Sequence, residues 1–138
     1  MTIAMTRPFN LSEIVIEWFR REPRFAAAAV LCAVLAIPTL VAHAFDDRLY
    51  QGINIWIKPL KFSISVGVYL GTLAWFAGWM KWETTQTRWY RWFSVLIVTA
   101  SFLELAWVYG AAANGIGSHY NIGTPLMSLL YGIAGVVV

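Results

Sequence analysis

Glu104 is the only charged residue inside any long apolar run of this chain, and it falls near the middle of the run from Trp92 to Ala113. A carboxylate at a bilayer midplane costs roughly 2.5–3.5 kcal/mol on insertion scales. Such a residue calls for an internal partner or a proton. As chemistry it is a proton or cation site; as structure it is a protonated Glu that locks two helices together. Lys58 and Lys61 are three apart and face similar directions at the head of another apolar run. They suit a lipid phosphate or a quinone-type carbonyl, or plain snorkelling to the interface. His43 and His119 are the only histidines, each at the end of an apolar stretch. Two imidazoles on facing helix ends could ligate a haem iron axially, or bind a metal with Asp46 or Asp47. The ordinary readings are an interfacial residue for His43 and a turn residue for His119. Asn121 shares the turn Ser118-His119-Tyr120-Asn121, which lacks the positioned acid of a hydrolytic triad. There is no P-loop, no dinucleotide fingerprint and no cysteine pair. Cys32 stands alone, which excludes a disulfide within the chain and a cysteine-based metal site. Nothing here is the signature of an enzyme.

The elements that must position these residues follow from composition. The chain has 138 residues, 59% hydrophobic and 12% charged, where a soluble domain carries about 25% charged residues. Its net charge is +3, but the basic residues flank apolar runs, so they speak of membrane topology and not of nucleic acid. The expectation is an all-α integral membrane helical bundle: an N-terminal amphipathic segment over 1–24 and a transmembrane domain over 25–138. Asn10 and Glu13 have capping-box spacing, and Leu11, Ile14, Val15, Trp18 and Phe19 recur at helical intervals until Pro23. Three full spans are predicted near 25–45, 60–80 and 92–113. The first has 21 residues, about 31 Å of helix, against a bilayer core of about 30 Å. Pro38 should kink it. Ala42-His43-Ala44 has the form of a signal-peptidase site, but the long helical segment before it is unlike a short basic leader.

A fourth run over 125–138 is only about 21 Å long as a helix and stops in mid-span, so the chain reads as a piece of a longer protein. Ser63, Gly67 and Gly71 share a face that would let a helix approach closely, from this chain, a second copy or a membrane-complex partner. Counting depth inward from both helix ends sets Glu104 near Gly71, with Tyr69, Thr72 and Ser101 as donors and Lys61 too high by roughly 13–15 Å. Trp79, Trp82, Trp89, Tyr90 and Trp92 mark a headgroup level.

Two stretches also carry a resemblance. Asn54-Ile55-Trp56-Ile57-Lys58-Pro59-Leu60-Lys61-Phe62, preceded by Asp47-Arg48, and Gly117-Ser118-His119-Tyr120-Asn121 resemble a group of uncharacterised bacterial multi-pass membrane proteins. That group carries a Trp-x-Lys-Pro-x-Lys-Phe motif and a Ser-His-Phe/Tyr-Asn motif. The match spans 46–125, and the group's further helices agree with a chain cut short. An Arg-Gly pair often precedes the Ser-His turn in the group; here Asn114-Gly115 stands in that region. The resemblance implies a helical membrane fold and no particular activity.

Lys and Arg number seven on the N-terminal segment and second connection, against three on the first connection and none on the third. The N-terminus is therefore expected in the cytoplasm of a bacterial cytoplasmic (inner) membrane. The expected function is non-enzymatic: handling a small solute, proton or lipid at an outer-face site of Lys58, Lys61, His119 and Asn121, with Glu104 beneath. The alternatives are a redox component holding haem b or quinone through His43, His119 and Lys61, and a structural subunit. The expected partner is the lipid bilayer. Cysteines placed at Gln51 and at Ile122, in a Cys32→Ala background, should react with an impermeant thiol reagent from one side of the membrane. Labelling from opposite sides would refute the shared face.

Overall fold

The computed structural model describes residues 10–118 and Gly132. His119, Asn121 and, Gly132 apart, the expected run over 125–138 lie outside the described residues. The elements are helix α1 (Leu11–Arg21), helix α2 (Pro23–Phe45), strands β1 (Leu49–Tyr50) and β2 (Ile53–Asn54), helix α3 (Ile57–Ala77), the single turn α4 (Trp82–Thr85) and helix α5 (Arg88–Ala113). α2, α3 and α5 are each long and apolar enough to cross a bilayer.

The caps explain where these helices differ from the hydropathy pattern. The Asn10 side chain caps α1 by accepting from Ser12 N at 3.1 Å. Pro23 ends α1 but also opens α2, with Glu22 between them as a cap accepting from Arg24 N. α5 starts four residues ahead of its expected first residue because Thr87 Oγ1 accepts from Tyr90 N at 3.1 Å. The polar, aromatic connector from Asp46 to Lys61 folds into an antiparallel hairpin and the first turn of α3.

α2 and α3 pack through small residues. A Cβ built on Gly67 would lie 3.2 Å from Cys32 Cβ and 3.5 Å from the Ala29 carbonyl. The face of Ser63, Gly67 and Gly71 was expected to let a helix approach closely, whether from this chain, a second copy or a partner. Here α2 lies at Gly67, and Trp18 of α1 covers Gly71, its ring 2.7 Å from where a Cβ would stand. Ser63 meets Tyr109 of α5. α1 is held there by Arg21, whose Nη1 donates to the Trp75 carbonyl at 2.8 Å and whose guanidinium lies 4.2 Å from the Trp75 ring centre.

The interior is small and partly polar, whereas the outside is large and apolar. Ala26, Ala29, Cys32, Ser63 and Ser94 are buried; Val34, Ile37, Val41, Val68, Leu96 and Leu103 are exposed. In water this distribution would be upside down; in lipid, where close packing drives association, it is the favourable one.

Two polar clusters tie the helices together. At the N-terminal end, Glu22 is 3% exposed. Its carboxylate pairs with Arg24 at 3.2 Å and accepts from the Tyr90 hydroxyl, while Arg24 also donates to Ser94 Oγ at 3.1 Å. Tyr90, expected in the interfacial belt, is thus buried, unlike Trp79, Trp82, Trp89 and Trp92. Toward the hairpin end, Tyr109 Oη meets Ser63 Oγ at 2.8 Å, Thr39 Oγ1 and the Leu35 carbonyl. Pro38 lies within α2, so its missing N–H deprives the carbonyl four residues earlier. Beside that gap the Leu35 carbonyl accepts from the Thr39 hydroxyl at 2.7 Å. Each hydroxyl can donate once in the order Ser63, Tyr109, Thr39, ending on that carbonyl.

Tyr109→Phe takes the acceptor from Ser63 and the donor from Thr39 while keeping the ring. It should destabilise the bundle by about 1 kcal/mol, in the range of interhelical hydrogen bonds in lipid. Denaturant titration in mixed micelles measures this, and an unchanged midpoint would discount the cluster.

Candidate functional site

The first and third connections meet at one end of the bundle, as alternate connections of antiparallel rods must. Arg48 Nη1 donates to the Ala113 carbonyl at 3.0 Å, capping α5 with a cation where its dipole is negative. The hairpin turns at Gln51 (φ 53°) and Gly52 (φ 80°). Two successive positive φ values define a type I′ turn, whose twist suits adjacent strands. Tyr50 then lies over Gly117: a Cβ there would be 2.5 Å from the Tyr50 hydroxyl, so a larger residue would push the tyrosine ring aside.

The hairpin is held in place by Asp46. Both carboxylate oxygens accept from Arg48, the shortest contact being 2.7 Å, and Trp56 Nε1 donates to Oδ2 at 2.7 Å. Asn54 bridges the same joint, donating to the Asp46 carbonyl and accepting from Trp56 N at 2.9 Å. The Arg48 guanidinium first, then the Trp56 indole, hold the Asp46 carboxyl well below the usual carboxylate range.

Between the hairpin, the head of α3 and the end of α5 opens a cavity of about 510 Å³. Lys58 and Lys61 stand in its wall with Ile53, Ile55, Val108 and Ala111. Among the described residues that line it there is no Asp or Glu. Glu104 lies deeper on α5, half-buried, and its charge acts through space on the Lys58 ammonium. The depth count had left Glu104 to Tyr69, Thr72 and Ser101. Thr72 instead is exposed and bonds back to the Val68 carbonyl at 2.8 Å, and Tyr69 is 48% exposed. Counting Cα rise omits the reach of two long side chains and the range of an electrostatic field in a medium of low dielectric.

His43 lies outside this cavity. Its Nδ1 is buried without a hydrogen-bond partner among the described residues. Among those residues no three His, Cys, Asp or Glu side chains form a group suited to a metal ion. The roles of Asp46, Arg48, Asn54 and Trp56 as one joint were not foreseen. Gln51-Gly52 between Leu49-Tyr50 and Ile53 was the available hairpin signal, weaker than Asn-Gly. Searches against protein-family models, curated proteins and solved structures find no match to this chain. The class that the fold fits is therefore read from its three apolar helices alone: a multi-pass membrane protein.

A carboxyl depressed in the folded state contributes stability above its unfolded pKa and loses it as pH falls toward the folded value. The difference in denaturation midpoint between wild type and Asp46→Asn should hold from neutral pH down to about 4, then shrink. Fading between pH 5 and 7 would contradict the Arg48–Trp56 clamp.

Proposed function

We propose that this chain is a non-enzymatic integral protein of a bacterial cytoplasmic membrane that takes a small solute or lipid-derived group into the hairpin-end cavity. One observation supports this above others: two lysines stand in the wall of a preformed space of about 510 Å³, within the 300–1,000 Å³ range of ligand pockets. Glu104 is set beneath, on the Lys58 side of the cavity. In this reading α1 lies at the cytoplasmic surface, anchored by Trp18 and Arg21, and the cavity opens to the outer side. The basic N-terminal flank, with Lys81, Arg88 and Arg91 on the second connection, supports that orientation. His119 follows Ser118 and Asn121 comes two residues later, and Ser118 lines the cavity, so the proposal includes both as further ligands. The redox reading has less support, because His43 stands apart from the space that Lys58 and Lys61 share.

Native mass spectrometry of the detergent-solubilised chain should find a non-covalent small molecule that is lost in a Lys58→Ala, Lys61→Ala variant. The preparation should be colourless. A Soret band that vanishes in His43→Ala would replace this proposal with the haem reading, and a bare polypeptide mass under gentle ionisation would end it.

A further inference from the structure

We infer that the hairpin-end cavity takes an anionic amphiphile, a phosphate-bearing headgroup with the first part of its acyl chain. This rests on the cavity reading above and narrows it to one class of ligand. The charge argument comes first. The described lining holds two ammonium groups and no carboxylate. Lys61 is exposed and makes no ion pair with any described residue. The nearby acid that could have neutralised it, Asp46, has both oxygens committed to Arg48 and one also to Trp56. A carboxylate so engaged does not compete with an incoming anion. α3 also begins here, and Trp56 at its N-cap lends no side-chain hydrogen bond to the first turn. The positive end of that helix dipole adds to the two lysines.

The second argument is shape. Ile53, Ile55, Val108 and Ala111 make the remaining wall largely apolar. A free inorganic anion would leave that wall facing water, whereas a headgroup that carries methylenes covers it. Position is the third. Lys58 and Lys61 lie in the first turns of α3, and the apolar length of that helix runs on from them. In a bilayer this is headgroup depth, with hydrocarbon immediately below. Lys61 at that level, beside Lys58 with Glu104 below it and an apolar wall of Ile53, Ile55, Val108 and Ala111, matches the two halves of an acidic lipid. The volume of about 510 Å³ suits a headgroup and the start of a chain, leaving the rest of the tail against the bundle.

The test is a titration of the lipid-depleted full chain in neutral detergent, read by native mass spectrometry. Dioleoyl phosphatidylglycerol should reach half occupancy at roughly tenfold lower concentration than dioleoyl phosphatidylcholine. Lys61→Glu should erase that preference and Lys61→Arg should keep it. Arg88→Ala with Arg91→Ala, at the opposite end of the bundle, should leave it unchanged. Equal binding of the two lipids overturns the inference. So does a preference that survives Lys61→Glu but is lost with Arg88 and Arg91. Glycerol phosphate competing at the same concentration as the lipid would identify a free phosphate ligand; that result removes the amphiphile and leaves the cavity reading standing. Because Lys61 is exposed, both of its variants should fold, and matching near-UV spectra verify that they do. The search for a co-purified molecule can fail separately, so the two proposals are distinguishable.

Discussion

The hydroxyl of Tyr109 against Ser63 pins the relative depth of α3 and α5. The hairpin end is built on that register. The helices run antiparallel, so fixing residue 63 against residue 109 sets the head of α3 beside the last turn of α5. Lys58 and Lys61 then stand across from Val108 and Ala111, and a space is left between them. A slip of one turn, about 5.4 Å, would close the cavity or separate its walls. Hydroxyl pairing is well suited to specify this register. Apolar contacts in lipid discriminate poorly between neighbouring registers, while a buried hydroxyl without a partner carries a penalty in every wrong one.

The same logic governs the two ends. At the N-terminal end a buried carboxylate, Glu22, is tolerated because Arg24 and Tyr90 meet it. It ties the α1–α2 junction to α5, and Trp18 ties α1 to α3 at Gly71. α1 is thus part of the bundle and not a detached surface element. At the hairpin end Asp46 does comparable work in a more open setting. It orders a four-residue ladder that has too few hydrogen bonds to persist alone. The hairpin in turn supplies one wall of the cavity, and Arg48 closes the exposed end of α5. The candidate site is therefore a by-product of three restraints, none of which touches the proposed ligand.

The spans were legible because hydropathy at this length has few alternative meanings. Their ends were less so. Thr87 and Glu22 extend α5 and α2 outward through caps that hydropathy does not sense. Lys58 and Lys61 were legible as a pair at a helix head, since spacing of three is enough to align them. The partner of Glu104 was not, because depth measured along helix axes ignores how far side chains reach. Glu22 gave no warning: a charged residue at a helix junction is ordinarily solvated, and only the placement of Arg24 and Tyr90 makes its burial tolerable.

Composition and periodicity alone determined that this is a chain of long apolar helices with a polar, aromatic connection between the first two. The energy of burying a peptide group in lipid allows little else. Tertiary structure decided which small-residue face meets which neighbour, that Trp18 covers Gly71, that the connection is a clamped hairpin, and that a cationic cavity opens beneath it. Those outcomes depend on contacts between residues far apart in the chain. Their energies are each about 1 kcal/mol, too small for any local pattern to encode and large enough together to select one arrangement.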